Sequence, residues 1–365
     1  MWFEISNAAI IDTPALAVYP DRVKENISLL KSFLPETHRL RPHVKTNKSP
    51  EVARLLLEAG IKKFKCATIA EAEMLANAGA KDILLAYQPT GPKIVRFATL
   101  IQAFPEIDFS CLIDNRETAA QISNVMQLNK ITASVYIDLN VGMNRTGIPT
   151  SAALELYDFV CKLDGIEIVG LHAYDGHLRD ADLEVRTQQC DASYKPVEEL
   201  AEKLKSSGKK INIIAGGTPT FPIHAKRKEI ECSPGTFIYW DTGYGNLLKE
   251  QPYNYAALVL TRVISKPSPG MLCLDLGHKA IASENPLHNR VTFLNAPELE
   301  PVGQSEEHLV VKTNNWENYH VGQLIYGVPF HICPTVALHD FAWAIEKHEA
   351  TQVWHNLART RKLEI

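Results

Sequence analysis

Eight β-rich segments alternate with helical ones between residues 39 and 240, and this alternation limits the chain to a parallel α/β architecture. The predicted strands are 39–46, 63–68, 82–87, 108–114, 131–140, 165–174, 211–218 and 229–240. Several are apolar along most of their length, as strands covered on both faces are. Helices are predicted at 49–60, 68–79, 116–128, 151–163 and 190–207. The first begins with Ser49-Pro50 and stops at Gly60; the second has Thr68 as a cap, Glu71 three residues on, and Gly79 at its end. Eight such units are what closure requires, so the predicted fold is a (β/α)8 TIM barrel over residues 15–245. A doubly wound open sheet is the alternative. From residue 246 to 365 helical periodicity fades and short β-like runs follow one another, predicting a second, mostly β domain joined by residues 1–14.

Composition narrows the partners. The chain carries 38 Lys+Arg against 42 Asp+Glu, a net charge of -4, with no basic block to track a phosphate backbone; nucleic acid is not expected as a partner. No run approaches the roughly 18 apolar residues of a membrane span, and the N-terminal stretch lacks the basic start of a secretory signal. Seven scattered cysteines fit reduced thiols and a cytoplasmic location.

Active sites of such barrels lie at the C-terminal ends of the strands. Those ends carry Lys45, Asp138, Asn140 and Arg145, then His172, Tyr174 and His177. The last two strands end in Gly216-Gly217-Thr218 and Ser233-Pro234-Gly235-Thr236. Gly-rich turns beside threonines on late strands offer backbone N–H groups and hydroxyls to a phosphate, although an ordinary tight turn has the same sequence. Strand alternation would aim Arg41, His43 and Lys45 to one face. Either an anionic ligand sits among them, or that face is solvated or paired with carboxylates. With a phosphorylated ligand present, neighbouring cations would favour the neutral Lys45 amine needed for a Schiff base.

The segments RPHVKTNKSPEVARLLLEAG, GMNRTG, GLHAYDGH, AGGTPT, SPGTFIYWD, DLGHKAIA and HICPTV, in this order, resemble the D-threonine aldolase and D-serine dehydratase family. These are fold-type III pyridoxal-phosphate enzymes related to alanine racemase. The resemblance spans essentially the whole chain. It implies that Lys45 carries pyridoxal 5'-phosphate as an internal aldimine and that Arg145 bonds the ring's phenolate oxygen. Tyr174 would lie against the cofactor, and Gly217, Thr218, Gly235 and Thr236 would hold the phosphate. His331 and Cys333 match a metal pair; at i and i+2 on a strand they would project to one face. A thiolate with an imidazole favours zinc, with manganese possible. The chain departs from relatives in having Asn47 where many have the His of THK, and Phe330 where many have the Asn of PNH. Ser233 stands where alanine racemases place an arginine against the ring nitrogen.

The implied activity is a lyase acting on small D-β-hydroxy amino acids, with the metal as Lewis acid. Aldolase-type Cα–Cβ cleavage, to glycine and an aldehyde, leads, with His177 as candidate base for the hydroxyl. Dehydratase-type loss of water, to a keto acid and ammonia with Lys45 taking the Cα proton, is the alternative. An amino-acid racemase and a non-catalytic pyridoxal-phosphate protein are further alternatives. A homodimer is expected.

Overall fold

The computed structural model describes all 365 residues as two compact units. The barrel unit comprises Leu30–Lys45, Pro50–Gly235 and Thr360–Ile365; the β-unit comprises Met1–Leu29, Thr46–Ser49 and Thr236–Arg359. The N-terminal segment that goes with the β-unit thus runs to Leu29, well past residue 14, and includes the strand Ala15–Val18.

In the barrel unit, seven parallel strands pair in the order Lys63–Cys66, Asp82–Leu85, Asp108–Ile113, Ala133–Asn140, Ile166–Ala173, Asn212–Ala215 and Ile230–Cys232. The first predicted strand is reduced to residues 40–43. Leu40 bridges Cys232 on one side and His43 bridges Lys65 on the other, so this short segment joins the last strand to the first. Arg41 and His43 donate their backbone N–H groups to Cys232 and Pro234, and Pro42 accepts from Lys65. Pro42 has no N–H to give, and the chain then turns into a 3-10 helix, Val44–Thr46. Helices cover the outside much as their caps predict. Thr68 Oγ1 accepts from the Glu71 N–H, and Gly79 takes the left-handed conformation that closes that helix. The helix expected at 190–207 starts earlier, at Leu183, because Asp182 caps it.

The basic face of the first segment divides. Arg41 is 1% exposed, and its guanidinium grips Asp82 (2.5 and 2.8 Å) and Glu231 (2.7 Å), which also pairs with Lys63. Asp82 and Lys63 each open their strand, so the cluster sits at the N-terminal ends of the strands, away from Lys45. The expectation that Arg41 faces the same anion as Lys45 is therefore corrected: protein carboxylates neutralise it.

The β-unit contains a nine-stranded sheet in which Ala15–Val18 lies antiparallel to Ala257–Ser268 and parallel to Phe341–Glu346. One of its cores packs Phe3, Ile5, Ile11, Leu258, Leu260 and Val328. His331 and Cys333 are not on a strand. The strand Leu324–Pro329 has ended, His331 is the N-cap of the helix Ile332–Ala337, and Cys333 lies in its first turn. Asp241 Oδ2 accepts from the Ile332 N–H (3.1 Å) and fixes this turn.

Removing one partner of a buried ion pair strands the others, at a cost of about 3 kcal/mol or more. Arg41→Leu is expected to lower unfolding free energy by that amount in urea denaturation, whereas Lys63→Gln, at a half-buried site, changes it far less.

Candidate active site

At the C-terminal ends of the strands the barrel unit opens a cavity of about 490 Å³, its mouth included. His43, Lys45, Lys65, Asp138, Arg145, His172 and Tyr174, with Asn140 and Thr146, supply its polar lining. A chain of hydrogen bonds crosses the floor. Gln88 Nε2 donates to Asp138 Oδ2 (2.9 Å), and Asp138 Oδ1 lies 2.7 Å from His172 Nδ1. A carboxylate only accepts, so the His172 proton sits on Nδ1 and Nε2 is left as the acceptor for Lys65 Nζ at 2.8 Å. Burial favours the neutral forms of both bases. It depresses the Lys65 amine to about 7, with Lys45 next in effect, and lowers His172, with Lys65 next. Burial also opposes ionisation of Asp138, yet hydrogen bonds from His172, Thr146 and Gln88 bring its carboxyl below the usual range.

Tyr174 stands in the middle of this set. Arg145, Lys65 and Lys45 lie 5.2, 5.3 and 5.9 Å from its ring centre. Its ring also packs on the turn after the strand Asn212–Ala215: a Cβ on Gly217 would fall 2.8 Å from Tyr174 Cε2, so only glycine fits. Gly216 has φ +76, the left-handed region. Thr218 Oγ1 accepts from the Gly235 N–H (3.2 Å), joining the two predicted anion turns. Ser233 Oγ is buried with no partner, next to a backbone bond from its N–H to Gly216. An unmet buried hydroxyl, an amine and a surplus of cations suit an anionic heteroaromatic ligand.

Thr236, next after Gly235, belongs to the β-unit, where its hydroxyl lies 3.8 Å from Cys333 Sγ. Thr46, which follows Lys45 in the chain, has its hydroxyl 3.1 Å from the same sulfur. His331 and Cys333 are hydrogen-bonded to each other through their side chains, across a turn and not along the expected strand. His331 Nδ1 lies 2.5 Å from Glu284 Oε1. Burial works against its charge, but Cys333 and Glu284 together raise it to about 9. A histidine backed by a carboxylate, beside a thiol, brings together donor types that metal sites use.

A second group of donors, Asp175, Cys190 and His224, is buried in the barrel unit. His224 Nε2 bonds Asp175 Oδ2 (2.8 Å), and Thr220 Oγ1 donates to Asp175 Oδ1 (2.7 Å). Arg227 donates to His224 Nδ1 (2.8 Å), which puts the imidazole proton on Nε2, the nitrogen a metal would need. This cluster is a hydrogen-bonded brace between the Tyr174-Asp175-Gly176 stretch and the turn at 217–220, not an ion site.

Of the predicted residues, Lys45, Arg145 and Tyr174 line one cavity, and Gly217, Thr218 and Gly235 form one turn pair beside it. His177 is exposed and is not among the cavity's lining residues; its ring packs on Gly142, in the loop that carries Met143 and Arg145. Lys65 and Gln88 were missed. The signal for Lys65 was a lysine between Phe64 and Cys66 inside a short apolar strand.

A model of the alanine racemase N-terminal domain matches residues 18–242, which is more than half of the chain. The chain belongs to that family. A second model, of a domain named for serine dehydratase, matches residues 256–345. A D-threonine aldolase of Arthrobacter sp. is 28% identical over 96% of this chain and 93% of its own. The structure of a D-threonine aldolase from Filomicrobium marinum superposes with a TM-score of 0.88, at 24% identity, over 98% of both chains. That of a D-threo-3-hydroxyaspartate dehydratase from Delftia sp. HT23 gives 0.83 at 22% identity, over 95% of this chain and 98% of its own. A cysteine-to-alanine form of that dehydratase is described as metal-free. The resemblance expected from the motifs is borne out by these matches across both halves of the family's two-domain plan.

Because the folded Asp138 carboxyl lies below its unfolded value near 3.9, its contribution to stability is present above that value and is lost as pH falls through the folded one. Asp138→Asn is expected to flatten the acid limb of the stability–pH curve, measured by urea unfolding at successive pH values below about 5.

Proposed function

We propose that the protein is a pyridoxal-phosphate- and metal-dependent lyase that cleaves small D-β-hydroxy amino acids between Cα and Cβ, releasing glycine and an aldehyde. The observation that carries this reading is the Lys45 amine in a cation-rich barrel cavity, in a chain that aligns over 96% of its length with a D-threonine aldolase. Pyridoxal phosphate supplies an electron sink for the electron pair left on Cα when a bond there breaks. Lys45 holds the cofactor through its amine, and Arg145 donates to the ring's oxygen. Gly217, Thr218 and Gly235 offer N–H groups and a hydroxyl to the phosphate. Tyr174 packs against the ring, and Ser233 Oγ is the buried hydroxyl available to the ring nitrogen.

His331 and Cys333 hold a divalent metal, zinc in preference to manganese because one ligand is a thiolate, and Glu284 orients His331. An ion held there would supply Lewis acidity toward a substrate hydroxyl, and His177 is the candidate to accept the proton of that hydroxyl. A dehydratase reading rests on the Cys333 ligand and on the hydroxyaspartate dehydratase fold match; there Lys45 takes the Cα proton. Seven free cysteines support a cytoplasmic location, and no helix is long and apolar enough to cross a membrane. A homodimer is the proposed assembly, to be checked by light scattering.

Product analysis with D-threonine separates the two reactions. Glycine with acetaldehyde supports the aldolase; 2-oxobutanoate with ammonia instead assigns the dehydratase. Lys45→Ala is expected to abolish both turnover and the visible absorbance of bound cofactor. His177→Gln should lower kcat by about 10²-fold if it is the hydroxyl base. Cys333→Ala is expected to weaken zinc binding by at least about tenfold in calorimetric titration of the protein.

A further inference from the structure

Three inward cations of the barrel meet different fates. Arg41 is held by Asp82 and Glu231, and Lys63 by Glu231. Lys65, 4% exposed, has no carboxylate in contact; its partner is His172 Nε2. A buried ammonium without a counter-charge is costly, and losing its proton relieves that cost. The geometry lets this happen without movement. His172 is fixed by Asp138 as an Nε2 acceptor, and an acceptor takes a hydrogen bond from an ammonium and from a neutral amine alike. Lys65 can therefore change charge while its nitrogen stays where it is, in the lining of the cavity that also holds Lys45.

We propose that Lys65 is a second proton-exchanging amine of this cavity, positioned by His172 and Asp138, whose charge sets the electrostatic environment of the Lys45-bound cofactor. The inference rests on the pyridoxal-phosphate reading above. The exchange involves one proton: the ammonium gives it to water at the cavity mouth and the amine takes one back, while the His172 Nδ1 proton stays on the imidazole, donated to Asp138. The charged groups facing Lys65 are Lys45 and Arg41 as cations and Asp138 and Asp175 as carboxylates. His172 touches it, and Arg145 lies across Tyr174. Burial, with Lys45 next in effect, brings the amine to about 7, so the change of charge falls near neutral pH.

The test uses protein reconstituted with pyridoxal phosphate and followed by its visible spectrum from pH 5.5 to 9. Wild type is expected to show a one-proton spectral transition near neutrality. In Lys65→Met and Lys65→Arg that transition is absent, the visible band remains, and kcat/KM loses the corresponding limb of its pH profile. Asp138→Asn, which removes a carboxylate favouring the charged amine, should move the midpoint down by at least about half a pH unit. Should either Lys65 variant fail to fold, that shift decides the matter. An unchanged transition in Lys65→Met, no transition in wild type, or an unmoved midpoint in Asp138→Asn overturns the proposal. Failure of the wild type to take up the cofactor at all overturns the pyridoxal-phosphate reading instead.

Discussion

Ring closure by residues 40–43 is the constraint on which the site depends. Four residues, one a proline, provide the join between Ile230–Cys232 and Lys63–Cys66. The backbone bonds from Arg41 to Cys232, from His43 to Pro234 and from Lys65 to Pro42 fix the register. That register sends Arg41 to a carboxylate pair and brings His43 and Lys45 to the cavity rim. It also makes Lys65 the immediate strand neighbour of His43. The cavity's excess of amines follows from the pairing of two short basic segments, LRPHVK and KFKC, side by side.

Charge is then sorted along the barrel axis. At the N-terminal strand ends, Arg41, Lys63, Asp82 and Glu231 neutralise one another. At the C-terminal ends Asp138 is committed to His172 and Gln88, and Asp175 to His224 and Thr220, so neither carboxylate pairs with a lysine. Lys45, Lys65 and Arg145 are left grouped around Tyr174. This surplus suits an anionic ligand, and the Gly217 turn against the tyrosine leaves room only for backbone at its edge.

How much of this could be read from the sequence differs by the range of the interaction. Helix ends were legible because caps are local: Thr68 with Glu71 and Gly79 act within their own helix. Lys45, Arg145 and the glycine turns were legible because they sit at strand ends in a regular alternation. Arg41 was misassigned because its partners lie 41 and 190 residues away and no local pattern announces them. Lys65 was hidden for the same reason, its histidine being 107 residues on. His331 and Cys333 were expected on a strand but lie at a helix N-terminus, where Asp241 captures the Ile332 N–H, a partner 91 residues away that no local pattern announces.

Two amines share one cavity, and the account assigns the covalent bond to Lys45 and the exchangeable proton to Lys65. Borohydride reduction of the protein reconstituted with pyridoxal phosphate, followed by peptide mass spectrometry, tests that assignment directly. The account predicts a phosphopyridoxyl group on the peptide containing Lys45 and none on the peptide containing Lys65. A label on Lys65, with Lys45 unmodified, would contradict it.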